Sequence, residues 1–401
     1  MLKLKSILIL CQDDLMELPY HRVYPIIKAL EPCCERMDIL YYDRAYDRDV
    51  DSVAAKLAEG VKDFFVKPRL EIKRDGIKTW YGFRRLPLDG VLSTVSQDPW
   101  IYRQFTGMVD TVYDLAISEA PGPSRIALWL RNEGKVRKVV YDDTDYFPGF
   151  AQGIRAKAIQ SQETEGVQSA DKVFCVSQRL VKLREKQGAV EPVYLPNGVD
   201  WNLYGSLDFD TAPRFFTMVY VGSLEDWAGL DIFIQGMSRA IQQGKKMELK
   251  IIGDGPVRQK LETQSKELGL ESCIEFIGRK SADEVPVFFK KADAGLVLPK
   301  PGLLWDYACP LKLFQYMAAG LPVLATSTGE LGDLVKQYQC GLCVEYSPES
   351  VEQGLLEMLN SPDRCRNWGL QGKVAAENYR WDKLMDKMIC EIKDMVDGHR
   401  D

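Results

Sequence analysis

The segment 310–320 contains the residues whose types and spacing best suit the binding of an anion. It reads PLKLFQYMAAG, so a proline stands where a helix would begin and a glycine where it would end. When such a helix follows a strand of a parallel sheet, its free amides and partial positive charge favour an anion such as a diphosphate. Lys312 lies in the first turn, where a cation opposes the helix dipole unless an anion lies between them, and Gln315 shares its face. We predict an anion site at Lys312 and Gln315; a solvated surface lysine is the alternative.

Two glycine-containing turns follow apolar runs in the same half of the chain. A turn directly after a strand of a parallel sheet lets the backbone approach a ligand closely. The residues of these turns are Gly222, Ser223, Gly253, Asp254 and Gly255. The pattern lacks the three glycines of the dinucleotide-binding fingerprint, so it does not indicate a nicotinamide or flavin cofactor. We predict that both turns line one ligand site.

Three carboxylates stand together after the apolar run 139–141 in the first half. Asp142, Asp143 and Asp145 fall within four residues at a predicted strand end. Carboxylate oxygens suit a divalent cation or the hydroxyl groups of a substrate. A solvated acidic loop with a capping aspartate is the third interpretation.

The cysteines and histidines show little sign of metal binding. Ten cysteines occur without a secretory signal at the start of the sequence, which predicts reduced thiols in a cytoplasmic protein. Cys340 and Cys343 form one close pair without a second pair or a neighbouring histidine, so we interpret them as buried small residues. His21 and His399 have no ligand spacing and are predicted to be structural or surface residues. We predict no bound metal and no cofactor.

Composition limits the class of protein further. A chain of 401 residues exceeds what one hydrophobic core usually supports, and 46% hydrophobic with 27% charged residues is typical of a globular protein. The net charge of -6 and the pI near 5.4 argue against a nucleic-acid partner, which requires a basic face. No apolar run reaches the length of about 18 residues that a membrane span needs.

The segment 67–85 is basic within this acidic chain. It contains seven lysines and arginines against two acidic residues, together with Trp80, Tyr81 and Phe83. Basic residues beside aromatic ones suit an anionic membrane surface or an acidic acceptor glycan. An ordinary hairpin face is the alternative interpretation.

Short continuous apolar runs alternate with helical patterns, as in parallel sheets buried on both faces. The predicted strands are 6–10, 37–41, 91–93, 139–141, 172–176 and 193–195 in the first half, and 217–221, 249–252, 273–277, 294–298 and 322–325 in the second. The turn and linker after residue 196 predict two α/β domains, at 1–205 and 206–381, each a Rossmann-like unit. A helix at about 382–401 is predicted to pack back on the first domain.

Six motifs resemble, in the same order, those of retaining glycosyltransferases of family 4. They are 169–177, which leads into a serine, 196–200 (PNGVD), 221–223 (VGS), 252–255 (IGDG), 276–278 (FIG) and the helix 310–320. The resemblance runs through much of the chain. It implies two Rossmann-like domains facing across a cleft, the GT-B architecture, and a nucleotide-sugar donor held mainly by the second half.

The resemblance also implies roles for single residues. Lys312 would contact the donor diphosphate, Gln315 the ribose, and the turn containing Arg279 the base. The family often has two glutamates separated by seven residues, whereas Tyr307 and Gln315 stand at the matching positions here. Asp306 is the predicted substitute for the contact to the sugar ring.

Other family features are absent from the sequence. Many members have an arginine after the Val-Gly turn and a lysine some residues later, where this chain has Ser223 and then Trp227. A histidine common at an N-terminal strand end has its apparent counterpart at Tyr141 and Asp142. Asp142 or Asp143 is therefore predicted to position the acceptor or the transferred sugar.

The resulting hypothesis is transfer of a hexosyl group from a nucleoside diphosphate sugar to a glycan or lipid-linked acceptor, with retention of configuration and without a metal. The alternatives are a nucleotide-sugar-binding protein that has lost transfer and a nucleotide-sugar 2-epimerase of the same architecture. A metal-dependent enzyme of the other major glycosyltransferase fold would use Asp143 and Asp145, but it would leave the 310–320 helix unexplained. The expected location is cytoplasmic, with possible contact of 67–85 to the inner face of a membrane.

Overall fold

The chain folds into two compact units in a computed structural model that describes residues 2–16, 21–43, 70–84, 91–207 and 215–398. The first unit comprises residues 1–196 and 385–401, and the second comprises 197–384. This division falls earlier than the predicted boundary at residue 205. The reason is a short helix, Trp201–Tyr204, whose Tyr204 packs on Phe289 with ring centroids 5.4 Å apart. Residues 197–205 therefore belong to the second unit.

The first unit is built on an eight-stranded sheet of order β3-β4-β2-β1-β5-β6-β7-β8. Its strands are β1 (Leu4–Cys11), β2 (Cys34–Asp43), β3 (Leu70–Asp75), β4 (Lys78–Arg84), β5 (Tyr113–Glu119), β6 (Val136–Asp143), β7 (Lys172–Cys175) and β8 (Val193–Tyr194). Its helices include α1 (Val23–Leu30), α2 (Val91–Thr106), α3 (Pro121–Asn132), α4 (Gly153–Ser169) and α5 (Gln178–Lys186). All neighbouring strands are parallel except the β3–β4 hairpin. In the central strand β1, Ile7, Leu8, Ile9 and Leu10 are all buried because both faces of the sheet are covered.

The second unit is built on a six-stranded parallel sheet of order β11-β10-β9-β12-β13-β14. Its strands are β9 (Phe216–Val221), β10 (Met247–Ile252), β11 (Ile274–Gly278), β12 (Ala294–Val297), β13 (Val323–Thr326) and β14 (Gly341–Val344). Its helices are α6 (Trp201–Tyr204), α7 (Leu230–Gln242), α8 (Arg258–Glu267), α9 (Val285–Phe289), α10 (Leu303–Tyr307), α11 (Leu311–Ala319), α12 (Gly329–Tyr338), α13 (Pro348–Asn360) and α14 (Pro362–Ala376). The predicted parallel α/β class is confirmed for both halves.

The last helix, α15 (Trp381–Asp397), is shared by the two units, because the division falls at residue 384. Its later part is fixed to the first unit. Lys172 Nζ lies 3.0 Å from Glu391 Oε2, and Lys387 Nζ donates to the carbonyl of Tyr194 at 2.8 Å. The helix predicted at about 382–401 thus joins the first sheet, as expected.

Two elements of the first unit differ from the prediction. Residues 91–93 are not a strand but the start of helix α2. Strand β5, which pairs directly with β1, was not among the predicted strands. Tyr113–Glu119 alternates polar and apolar residues at its ends, so its short apolar centre gave a weak pattern even though most of the strand is buried.

The basic segment 67–85 contributes the hairpin β3–β4, while Lys67, Arg69 and Arg85 lie outside the described residues. Trp80, Tyr81 and Phe83 are at most 9% exposed, so the aromatic residues belong to the core and do not face a membrane. Lys73 and Arg74 remain exposed on β3, the edge strand, where charge discourages pairing with another chain. The described part of the segment forms the hairpin of the alternative interpretation, and contact with a membrane or an acidic glycan stays a prediction. In the described parts of the chain, no helix is long and apolar enough to cross a membrane.

Each sheet reverses its winding at one place. In the first unit β1 lies between β2 and β5, and in the second β9 lies between β10 and β12. Crossover connections leave in opposite directions from such a point, so a crevice opens beyond the carboxyl ends of the two strands. Each unit therefore has one position, β1/β5 or β9/β12, where its topology favours a ligand.

A buried ion cluster joins three elements of the first unit. The Arg184 guanidinium donates to both carboxylate oxygens of Asp143, at 2.7 and 3.1 Å, and to Glu163 at 2.8 Å. All three side chains are 0% exposed. Burial lowers the pKa of Arg184, but the charges of Asp143 and Glu163 raise it well above its usual value. The cluster holds α4 and α5 against the end of β6.

We expect Arg184→Met to lower the free energy of unfolding by about 3–5 kcal/mol, because removing one partner leaves two carboxylates uncompensated in the core. Urea titration monitors this loss. Arg137→Met is the control, since Arg137 pairs with Asp114 but is 67% exposed, and its loss should cost no more than about 1 kcal/mol. Equal effects of the two substitutions would contradict the assigned role.

Candidate functional site

Backbone hydrogen bonds join the glycine turns after β9, β10 and β11 into one surface. The Gly222 amide donates to the carbonyl of Ile252 at 3.0 Å, and the Gly253 amide donates to the carbonyl of Gly278 at 2.9 Å. Both Gly222 and Gly253 have positive φ, 139° and 144°. A Cβ on Gly253 would lie 1.9 Å from the Gly222 carbonyl oxygen, a distance that no side chain permits. Glycine is required here because two chain segments touch.

Lys312 reaches the same turn from the start of α11. A Cβ on Gly222 would lie 2.8 Å from Lys312 Nζ, and Nζ itself lies 3.9 Å from the centroid of the Tyr220 ring. In the described residues the ammonium forms no ion pair, and its loss of hydration lowers the pKa of Lys312 to about 7. The structure thus brings together Gly222 and Lys312, which are 90 positions apart (312 − 222) in the sequence.

Helix α11 begins as the sequence predicted. Its N-cap, Pro310, provides no side-chain acceptor, and Gly320 ends it in the left-handed conformation at φ 78°. No side chain caps the first turn; the Leu313 amide donates to the carbonyl of Pro310 at 3.1 Å, so the amides before it are the ones that an anion could use. Leu313, Phe314, Met317 and Ala318 are all buried.

Gln315 is more enclosed than the sequence suggested. It is 8% exposed, and its Nε2 donates to the hydroxyl of Tyr204 at 3.3 Å. Its amide is therefore held in place from the protein side. The role in binding ribose that the resemblance implies for Gln315 stays a prediction.

A basic residue that sequence reasoning missed reaches β11 from the start of α8. Arg258 of α8 donates to the carbonyl of Phe276 at 3.3 Å, and its Nη1 lies 3.6 Å from Asp254. Arg279, predicted at the turn after β11, is exposed. The four-residue spacing of Asp254 and Arg258 across the start of a helix was the signal that could have revealed this pair.

Asp306 lies on α10, which packs against the start of α12. A Cβ on Gly329 would lie 2.7 Å from the Asp306 Cα, so the two helices are in close contact. Trp305, which precedes Asp306 on α10, has its ring centroid 4.7 Å from that of Trp227. The loops after β9 and β12 therefore meet at the reversal point of the second sheet. A contact of Asp306 to a sugar stays a prediction.

Asp142 and Asp143 are placed differently from the expectation. Both oxygens of Asp142 accept from Arg22, at 2.8 and 3.0 Å, and Asp143 is enclosed with Arg184 as described above. They are 1% and 0% exposed. Their carboxylates serve buried ion pairs, so we withdraw the role of positioning acceptor or sugar for this pair. The partner arginines are distant in sequence, and no local pattern indicated them.

Asp145 lies apart from this pair. Burial, and then the negative charges of Glu119, Asp143 and Asp13, raise the pKa of Asp145 to about 8. The acidic triplet is therefore divided between two environments, which explains why one interpretation of all three carboxylates does not hold.

A second group of residues meets at the reversal point of the first sheet. Cys11 ends β1, Glu119 ends β5, and His21 precedes α1. Glu119 Oε2 accepts from Cys11 Sγ at 3.0 Å and lies 3.5 Å from His21 Nε2. Burial lowers the pKa of His21, but the charges of Glu119 and Asp13 outweigh this effect and raise that pKa to about 9. The sequence prediction of a structural or surface histidine missed this group because β5 had not been found; His399 lies outside the described residues.

Residues 209–374 match the family model described as glycosyl transferases group 1. The matched residues all lie within the second unit. The matched range contains the glycine turns, α10 and α11, and thus every residue predicted at the donor site.

Curated relatives agree with this match. The chain is 29% identical over 219 residues to an uncharacterized glycosyltransferase, MJ1178, of Methanocaldococcus jannaschii, with 54% of this chain and 58% of that protein covered. It is 26% identical over 219 residues to the GDP-mannose-dependent alpha-(1-6)-phosphatidylinositol monomannoside mannosyltransferase of Mycobacterium tuberculosis, covering 49% and 54%. The aligned region thus spans little more than half the length of these relatives.

The whole fold is also found among solved glycosyltransferases. The structure of Anabaena Alr3699/HepE in complex with UDP-glucose has a TM-score of 0.70 at 16% identity, covering 97% of this chain and 99% of that one. The chain therefore has the GT-B fold, and its second half contains the residues that match the group 1 model.

We expect Gly253→Ala to destabilise the group 1 unit strongly, because the new Cβ would overlap the Gly222 carbonyl in addition to the strain of positive φ. The matched control is Gly244→Ala, which has φ 82° but no atom within 4 Å of the added Cβ. The control should cost about 1–2 kcal/mol and Gly253→Ala clearly more, measured by thermal and urea unfolding. A smaller loss at Gly253 than at Gly244 would contradict the close backbone approach.

Proposed function

We propose that the protein transfers a glycosyl group from a nucleoside diphosphate sugar to a glycan or lipid-linked acceptor, with retention of configuration. One observation carries the proposal: Lys312, the Gly222 turn and the uncapped start of α11 converge where the second sheet reverses. A dianionic diphosphate would satisfy the free amides and restore full charge to the lysine. The match of residues 209–374 to the group 1 model supports a nucleotide-sugar donor.

The chemistry follows from where negative charge develops. As the bond between the sugar and the diphosphate breaks, the leaving phosphate oxygen gains charge. Amides of α11 and the Lys312 ammonium are fixed donors aimed at that position, so they stabilise the transition state without reorganisation. We infer that this cradle takes the place of a metal ion at the donor diphosphate.

The donor and acceptor classes rest on the relatives. HepE was crystallised with UDP-glucose, and the mycobacterial relative is named for GDP-mannose and a phosphatidylinositol acceptor. These names support a hexose donor and a glycan or lipid-linked acceptor for this chain. Retention of configuration is implied by the resemblance to family 4. NMR of the product, which gives its anomeric configuration, tests it.

We expect Lys312→Ala to weaken the binding of the matching nucleoside diphosphate by at least about tenfold, since a charge-assisted hydrogen bond contributes about 1.5–3 kcal/mol. Calorimetric titration of UDP, GDP, ADP and their sugars in EDTA measures it. Lys250→Ala is the control, because Lys250 lies in the same sheet and is partly exposed but pairs with Glu275 at 3.1 Å. Binding lost on chelation, or unchanged in Lys312→Ala, would contradict the proposed cradle.

A failed transfer assay has a distinct meaning. If the chain binds a donor sugar but neither transfers nor isomerises it, the protein is a nucleotide-sugar-binding protein. Isomerisation of the donor without an acceptor would instead indicate a 2-epimerase.

Donor binding should weaken as pH rises. The pKa of free Lys312 is about 7, and a bound diphosphate raises it, so the charged form that binds is present below pH 7 and is lost above it. The charged fraction falls from about 0.9 at pH 6 to about 0.1 at pH 8, which predicts roughly tenfold weaker binding at pH 8.

A nucleotide sugar is the suitable ligand for this measurement, because its diphosphate does not titrate in that range. Lys312→Arg provides the control, since arginine stays charged, and its binding should not vary with pH in this way. The same pH dependence in both proteins would contradict the role of Lys312.

A further inference from the structure

The group at the end of β1 and β5 has the composition of a metal site. Cys11, His21 and Glu119 each offer one ligand atom, and these atoms all lie within 4.8 Å of one another. The three residues come from separate segments: the end of one strand, the turn before α1 and the end of the neighbouring strand. A thiolate, an imidazole and a carboxylate together are ligands of a borderline-soft cation.

The distances fit one ion in particular. Cys11 Sγ lies 3.0 Å from Glu119 Oε2 and 3.9 Å from His21 Nε2, and Nε2 lies 3.5 Å from Oε2. Tetrahedral zinc, with Zn–S of about 2.3 Å and Zn–N or Zn–O of about 2.0–2.1 Å, separates its ligands by about 3.3–3.6 Å. Displacements of a few tenths of an ångström would bring the three atoms to that geometry.

The surroundings have an excess of negative charge. Asp13 Oδ2 lies 3.4 Å from His21 Nε2 and Glu119 Oε2 lies 3.5 Å from it, whereas Asp142 is already paired with Arg22. Such a set of carboxylates around one histidine disfavours a bound phosphate and favours a cation. Asp13 is 44% exposed while His21 is 11% exposed, so the group opens to solvent on the Asp13 side.

We propose that Cys11, His21 and Glu119 bind a Zn²⁺ ion at the reversal point of the first sheet. The ligand atoms are Cys11 Sγ, His21 Nε2 and Glu119 Oε2, and a water molecule or Asp13 takes the fourth position. This pattern of three protein ligands and one open position is that of zinc sites which orient or activate a bound oxygen. The inference concerns the first unit only and does not rest on the proposed transfer.

Binding requires two changes of protonation and no change of oxidation state. The Cys11 S–H bond breaks, its proton passes to solvent, and a Zn–S bond forms. His21, an imidazolium at a pKa of about 9, releases its Nε2 proton to solvent as the Zn–N bond forms and keeps the proton on Nδ1, so the 3.2 Å contact of Nδ1 with the Val23 amide cannot be a hydrogen bond in the zinc-bound form. The loss of one hydrogen bond is small against the gain of three metal–ligand bonds.

The test uses the full chain, which is stripped of metal with EDTA, freed of the chelator and then incubated with Zn²⁺. We expect one Zn²⁺ per chain after gel filtration, measured by elemental analysis, and a thiolate-to-cobalt charge-transfer band when Co²⁺ replaces Zn²⁺. Absence of both in the wild-type protein would overturn the proposal, and this arm needs no variant.

Variants locate the ion. Cys11→Ser and Glu119→Gln should each weaken Zn²⁺ binding by more than about 100-fold, since even an outer-shell partner is worth about 10- to 100-fold. Cys390→Ser, which removes an exposed thiol, should bind as the wild type does. Equal binding by Cys11→Ser and wild type would overturn the proposal.

Two further measurements keep the outcomes apart. Thermal melting in EDTA shows whether each variant folds like the wild type in the absence of metal. Nucleotide binding in EDTA tests the second unit alone, so loss of that binding would count against the proposed function and not against the zinc site.

Discussion

The constraint on which both units depend is the handedness of parallel strand connections. Because crossovers are right-handed, a sheet that winds both ways must reverse at one strand, and helices cannot cover the carboxyl ends there. In this chain the reversal falls at β1/β5 and at β9/β12. The two candidate ligand sites lie at these two places: Lys312 at one, and the Cys11, His21 and Glu119 group at the other.

The two reversal points are built for opposite charges. In the second unit, glycine turns and the start of α11 present amides and one ammonium, so the surface suits an anion. In the first unit, carboxylates and a thiol surround one histidine, so the surface suits a cation or hydroxyl groups. The same topology thus gives complementary chemistry, and the difference arises only from which side chains end the strands.

Local patterns in the sequence were sufficient for the second unit and insufficient for the first. The runs 217–221 and 249–252 became β9 and β10, and the 310–320 pattern became α11, because continuous apolar strands and helix caps are local signals. Partners of Asp142 and Asp143 lie 120 and 41 residues away, and such pairing has no local signal. Because strand β5 was not predicted from the sequence, Glu119 was not considered as a site residue, and its contact with His21 was not expected.

Helix α15 has a consequence for how the chain is made. The ribosome releases residues 1–196 first, yet the first unit also contains residues from 385 onward, including Lys387 and Glu391 with their contacts to Tyr194 and Lys172. During translation the second unit can therefore complete its sheet while the first still lacks its final helix. Order of synthesis and order of completion are reversed, so the first unit stays partly uncovered until residues from 385 onward have been made.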